Sequence, residues 1–193
     1  MCISLEDAPA PKQQIACTRS FGQPILELSE LIEAISEFAT RAAEKLRRQS
    51  SVAGQILVFV HTSPFRPGPR FSQSVVMPLR RPTADTSLLV QAAVRGITSI
   101  YRPGFQLAKA GVMLLELISD TVCQGELDLE SDRGNNRTRL LSAFDAINER
   151  FGRGSISMAS AGLNNTQRGW AMRQDRLTPQ YTTQWSDLPL ARA

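Results

Sequence analysis

The chain of 193 residues has one histidine, His61, and three cysteines, Cys2, Cys17 and Cys123, which lie far apart and form no CxxC pair. Neither a zinc site of the usual ligand count nor a disulfide scaffold is expected from so few ligands. No stretch approaches the roughly 18–20 apolar residues that a membrane span needs. The opening MCISLEDAPAPKQQ carries early acids and no apolar core, so a secretory signal is not expected and the cytosol is the expected compartment. Aromatics are scarce at 6%, but 42% hydrophobic and 21% charged residues are ordinary globular values, which argues against wholesale disorder. The length suits one domain, or one domain with an appendage.

Charge is segregated along the chain. Residues 12–119 hold 13 Lys/Arg against seven Asp/Glu. Residues 120–132 hold five acids and no base, and residues 133–193 hold nine Arg against four acids. Two basic blocks thus flank one acidic strip, a pattern that points to a polyanion partner or to a solvated basic surface.

Hydrophobic periodicity changes along the first 119 residues. Residues 12–21 read as a strand, with Ile15, Cys17, Arg19 and Phe21 on one side. Ile32, Ile35, Phe38, Ala39, Ala42 and Leu46 recur at three- and four-residue spacing, which predicts a helix over 29–49 capped by Ser29. Its acids precede its bases, in the order that suits the helix dipole, and Glu37–Arg41 and Glu44–Arg48 are i,i+4 pairs. The β-branched run at 55–62 predicts a strand, with Leu57, Phe59 and His61 opposite Ile56, Val58 and Val60. A third strand is expected over 70–80, where Pro78 suggests an edge. A helix capped by Asp85 or Thr83 is expected over 85–101, and a fourth strand over 105–118. The order β-α-β-β-α-β is an α+β fold with a four-stranded sheet and two helices on one face. The other face is left for solvent or ligand. Residues 119–136 have linker composition, residues 137–151 return to helical spacing, and the remainder to Ala193 is polar with scattered aromatics.

KQQIACTRSFG at 12–22, RAAEKLR at 41–47, VFVHTSPF at 58–65, LAKAGVML at 107–114 and RLTPQYTTQWSDLP at 176–189 resemble the C-terminal part of UmuC-like Y-family translesion polymerases, the family of the UmuC subunit of DNA polymerase V. The resemblance covers roughly residues 2–191. It implies a linker from a missing catalytic core at 1–11, a little-finger DNA-binding domain at 12–119, an acidic linker at 120–136 and a UmuC-like C-terminal region at 137–193. It further implies a role in SOS mutagenesis and DNA repair. The family's palm, fingers and thumb precede the little finger, and the palm carries the Mg²⁺ ligands. Met1 stands just ahead of the little-finger block, so the expectation is a non-catalytic portion without a cofactor.

Little fingers lie on template–primer duplex through the open face of the sheet. The expected contacts are mainly to phosphates, with little base reading. The candidates are Lys12, Arg19, His61, Arg70, Arg80, Arg81 and Lys109, with Gly111 allowing close approach of the main chain. A bare face studded with cations is therefore expected. Each candidate also has a plainer role: His61 as a surface imidazole, Arg19 paired to an acid of the first helix, Arg80 and Arg81 as a solvated edge. UmuC-like proteins carry a sliding-clamp peptide of the form Gln-Leu-x-Leu-Phe, and the matching positions are Glu126, Leu127, Asp128, Leu129 and Glu130. Both leucines remain, but the glutamine and the phenylalanine anchor do not, which puts clamp binding in doubt. Trp170, Tyr181 and neighbouring tail residues match the family pattern, which implies contact with UmuD′ or RecA. Packing of the tail onto the helix at 137–151 is the plainer alternative.

Overall fold

In the computed structural model, residues 11–122, 133–152, 154–162, 170–172 and 178–188 are described. Their elements run β1 (Ile15–Ile25), α1 (Leu28–Arg48), β2 (Ser51–Thr62), β3 (Ser72–Thr83), α2 (Thr86–Ile100), β4 (Leu107–Ser119) and α3 (Arg133–Phe151), with single 3-10 turns at Ala159–Ala161 and Trp185–Asp187. The four strands form one antiparallel sheet in the order β1-β4-β2-β3.

Alternation along the two central strands builds the core. Ile56, Val58 and Val60 of β2 and Ala110, Val112 and Leu114 of β4 are buried on one face of the sheet. Leu31, Ile35, Phe38 and Ala42 of α1 and Leu89, Ala93 and Ile97 of α2 cover that face. Each large side chain so buried contributes about 1.5–3 kcal/mol. Asp85 caps α2 by accepting from the backbone N–H groups of Ser87 (2.8 Å) and Leu88 (3.3 Å). The pair Glu44–Arg48 forms at 2.7 Å, and Glu37–Arg41 forms as well.

Several expectations need correction. Ser29 does not cap α1: the cap is Glu27, which makes no side-chain hydrogen bond there, and Ser29 lies inside the first turn. β1 runs on through Gly22 and Pro24 with a register shift between Ser20 and Ile25. An edge strand tolerates this, because the N–H that proline lacks faces no partner strand. β2 starts at Ser51, four residues early, directly after α1. Its alternation also slips: Ala53 and Ile56 are both buried, three residues apart. The slip falls at Gly54, opposite Glu116, whose φ of 51° is left-handed.

The C-terminal region docks on this body through charge at α3 and through apolar packing at Trp170. Arg47, in the basic last turn that suits the dipole of α1, also reaches α3: its Nε and Nη2 donate to Asp145 at 2.6 and 2.7 Å. Its Nη1 donates to the Ala84 carbonyl (2.9 Å) and to Thr86 Oγ1 (2.8 Å). Arg137 of α3 pairs with Asp85 at 2.5 Å. Trp170 packs on α1, against Phe38 at 5.9 Å edge-on, rather than on α3, and is 2% exposed. The Gly22 N–H donates to the Ala171 carbonyl at 3.1 Å, which ties the same segment to β1.

Candidate nucleic-acid interface

No described element covers the second face of the sheet, and strand pairing orders it in rows. One row reads Ser20, Lys109, His61, Ser72 across β1, β4, β2 and β3. The next reads Thr18, Gly111, Phe59, Ser74, and the one after it Ala16, Met113, Leu57, Val76. Neighbouring strands lie about 4.8 Å apart, so a row of four spans roughly 14 Å. Ser20, Thr18, Ser72 and Ser74 are exposed, whereas Lys109, His61 and Phe59 are half-buried.

The predicted residues divide. Lys109, His61 and Gly111 share the open face as expected. The imidazole of His61 stacks on Phe59 at 6.1 Å, and its Nδ1 lies 3.2 Å from the Thr62 carbonyl. Gly111 is tightly fitted, since a Cβ there would stand 2.5 Å from the Thr18 side chain. Gly111 is also buried, so its bare main chain is required by β1 and the expected close approach of a phosphate there is not available. Arg70 is exposed in the loop that leads into β3, next to the end of the sheet where His61 pairs with Ser72. Arg80 and Arg81 are exposed at the opposite end, beyond the Gln55–Pro78 pair. Lys12 precedes β1 and exchanges two main-chain hydrogen bonds with the Gln49 side chain, at 3.0 and 2.9 Å.

Arg19 is the clear correction. Its side chain shares the helix side with Cys17 and lines a cavity with Arg41, Glu44 and Lys45. It does not reach the open face, because alternation along β1 sends it where Ile15 and Phe21 go. The expectation of a face studded with cations also fails. Among the described residues the centre of the open face is Met113, Leu57, Phe59 and Val76, and the cations stand at its ends.

Comparison with known proteins identifies the family. The model of the impB/mucB/samB family C-terminal domain matches residues 12–127, more than half of the chain. The chain belongs to the impB/mucB/samB family. A second match, to a domain of unknown function, covers residues 138–191. Protein ImpB and protein SamB of Salmonella typhimurium are 39% and 40% identical to the chain over 192 residues each. Protein UmuC of Salmonella typhimurium is 36% identical over 188 residues. Each alignment covers 97–99% of this chain but 44% of the relative, so the chain spans less than half the length of the curated relatives it matches. Among solved structures, an insertion ternary complex of Dbh DNA polymerase is similar over 55% of this chain and 29% of its own, with 10% identity and a TM-score of 0.41. That likeness is too slight to argue from.

Within this impB/mucB/samB domain, sequence reasoning passed over the hydroxyls. Thr18, Ser20, Ser72 and Ser74 were assigned to strands, but only pairing shows that they flank Lys109 and Gly111 on one surface. Hydroxyls donate to phosphate oxygens alongside Arg and Lys and help fix the position of the duplex backbone. The degenerate clamp peptide, Glu126, Leu127, Asp128, Leu129 and Glu130, lies outside the described residues. Among the described residues no group of three His, Cys, Asp or Glu side chains converges, and Gln55 Nε2 donates to Glu116 at 2.7 Å. No described helix is long and apolar enough to cross a membrane.

Proposed function

We propose that the chain is the non-catalytic, DNA-binding portion of a UmuC-like translesion polymerase and that it grips template–primer duplex through the open sheet face. The row Ser20, Lys109, His61, Ser72, with Thr18, Gly111 and Ser74 beside it, carries this reading. It combines one flexible cation with several hydroxyl donors, which suits phosphate contacts and leaves base identity unread. An enzyme that copies damaged template gains from contacts to the regular backbone. Arg70 lies at the same end of the sheet and extends the surface. The family relation to protein UmuC supports the assignment to translesion synthesis in SOS mutagenesis.

Titration of fluorescent duplex DNA at rising salt tests it. Affinity is expected to fall steeply with salt, roughly one released counterion per neutralised phosphate. Lys109→Glu is expected to weaken binding on every sequence alike. An isotherm insensitive to salt and to Lys109→Glu overturns the reading.

A second reading draws on the tail. Trp185 is 89% exposed and Tyr181 is 50% exposed, as suits a surface that receives a protein. UmuD′ and RecA are the candidates the resemblance supplies. Pull-downs with and without residues 137–193 test it, and retention after deletion rejects the tail as the docking element.

A further inference from the structure

The groove between β1 and α1 lies on the opposite side of the sheet from Lys109, and the proposed duplex contact makes no use of it. β1 is an edge strand. Among the described residues its outer side has one main-chain partner, the Ala171 carbonyl at Gly22, and no described main chain pairs with the stretch before Gly22. Arg19 projects from the strand beside that edge, and Arg41, Lys45 and Arg48 face it from α1 at i, i+4 and i+7. Two cavities of about 360 and 630 Å³ share Ala16, Lys45 and Arg48, and so make one continuous groove from Lys12 to Arg19. Arg41 and Arg48 are paired to Glu37 and Glu44 within the helix. Among the described residues Arg19 and Lys45 have no acidic partner at ion-pair distance. The positive potential reaches the groove floor: burial raises the Cys17 thiol above its ordinary value, while Lys45, Arg41 and Arg19 pull it back down.

We propose that this edge binds an acidic peptide strand by β-augmentation, its main chain pairing with β1 and its alternate carboxylates meeting Arg19, Lys45 and Arg48. Three features favour a peptide over nucleic acid. An exposed strand edge presents both N–H and C=O groups, and a peptide strand satisfies both, whereas a phosphodiester only accepts. No aromatic side chain lines the groove, so bases have nothing to stack on. The cavities hold one extended chain, which excludes a duplex. Spacing agrees as well. Same-face residues of a strand repeat at about 6.6 Å, and Arg41 and Lys45 are about 6 Å apart along their helix. The exposed Arg48–Glu44 pair is weak and yields readily to a new carboxylate.

The full chain is titrated with a fluorescein-labelled peptide of alternating glutamate and valine, read by anisotropy. Saturable binding is expected, at least ten-fold weaker for the double variant Arg19→Glu, Lys45→Glu and unchanged for Lys109→Glu. Two N-methylated versions of the peptide are compared, each blocking one alternate set of N–H groups. Only the set facing β1 is expected to abolish binding, and this readout needs no variant protein. Absence of saturable binding overturns the proposal, and so does equal binding by both methylated peptides, which would leave charge attraction alone. Equally effective displacement by oligo-dT that depends on Arg19 and Lys45 would make the groove a nucleic-acid site and also overturn it. Loss of duplex binding with Lys109→Glu, while the peptide still binds, separates this proposal from the duplex reading.

Discussion

Two parts of the chain are held together by different physics. From Ile15 to Ser119 the sheet and two helices are bound by continuous apolar burial. From Arg133 onward the chain is attached by Arg47–Asp145, Arg137–Asp85 and the buried Trp170. Apolar burial is insensitive to salt, and partly exposed ion pairs are screened by it. The body therefore sets global stability, while the position of α3 responds to ionic strength.

Substitutions sharpen that contrast. The largest effect is expected for Phe38→Ala, which removes a fully buried ring and the edge contact of Trp170 together. A loss of about 3–5 kcal/mol in urea unfolding is expected. A small loss would mean that the body is less tightly packed than its burial suggests. Arg47→Ala should cost about 1.5–3 kcal/mol, the range for hydrogen bonds to charged groups, but locally. Hydrogen exchange is expected to quicken in α3 while the amides of β2 and β4 keep their protection. Equal loss in both regions would break the distinction.

Gly111→Ala tests how closely β1 and β4 approach on the open face. The added methyl meets Thr18 at 2.5 Å, so overpacking of about 1–3 kcal/mol is expected. Thr18→Ala in the same chain should recover part of it, as a thermal melt of the pair would show. The smallest effect is at Cys17. Its folded thiol ionises above its ordinary value of 9.0 because burial disfavours the thiolate, with Lys45, Arg41 and Arg19 opposing. Above pH 9.0 the unfolded chain then releases this proton more readily than the folded one, so stability is intact below that pH and falls as pH rises through the folded value. Melting temperatures from pH 8 to 10 should show this decrement in the wild type and lose it in Cys17→Ala.

Element order was legible because period and punctuation agreed: β-branched alternation at 55–62, a 3.6-residue stripe at 32–46, and Pro103-Gly104 after α2. Boundaries were less so. β1 continues through Gly22 and Pro24 only because it is an edge, a fact of sheet order that no local pattern contains. The side taken by Arg19 was readable from alternation. Its facing the first helix was an open alternative there; that it meets Arg41 and Lys45 across a cavity, with no acid at ion-pair distance among the described residues, was not readable.

Local chemistry by itself determined the layered α+β fold, the Asp85 cap, the i,i+4 pairs and the sidedness of Lys109, His61 and Gly111 along their strands, because each depends on residues a few positions apart. Tertiary structure decided which side chains become neighbours across strands. It set Ser20 and Ser72 beside Lys109, filled the middle of the open face with Met113, Leu57 and Phe59, and brought Asp145 to Arg47 from 98 positions away. Register and docking depend on the whole core closing at once, and no window of sequence carries that information.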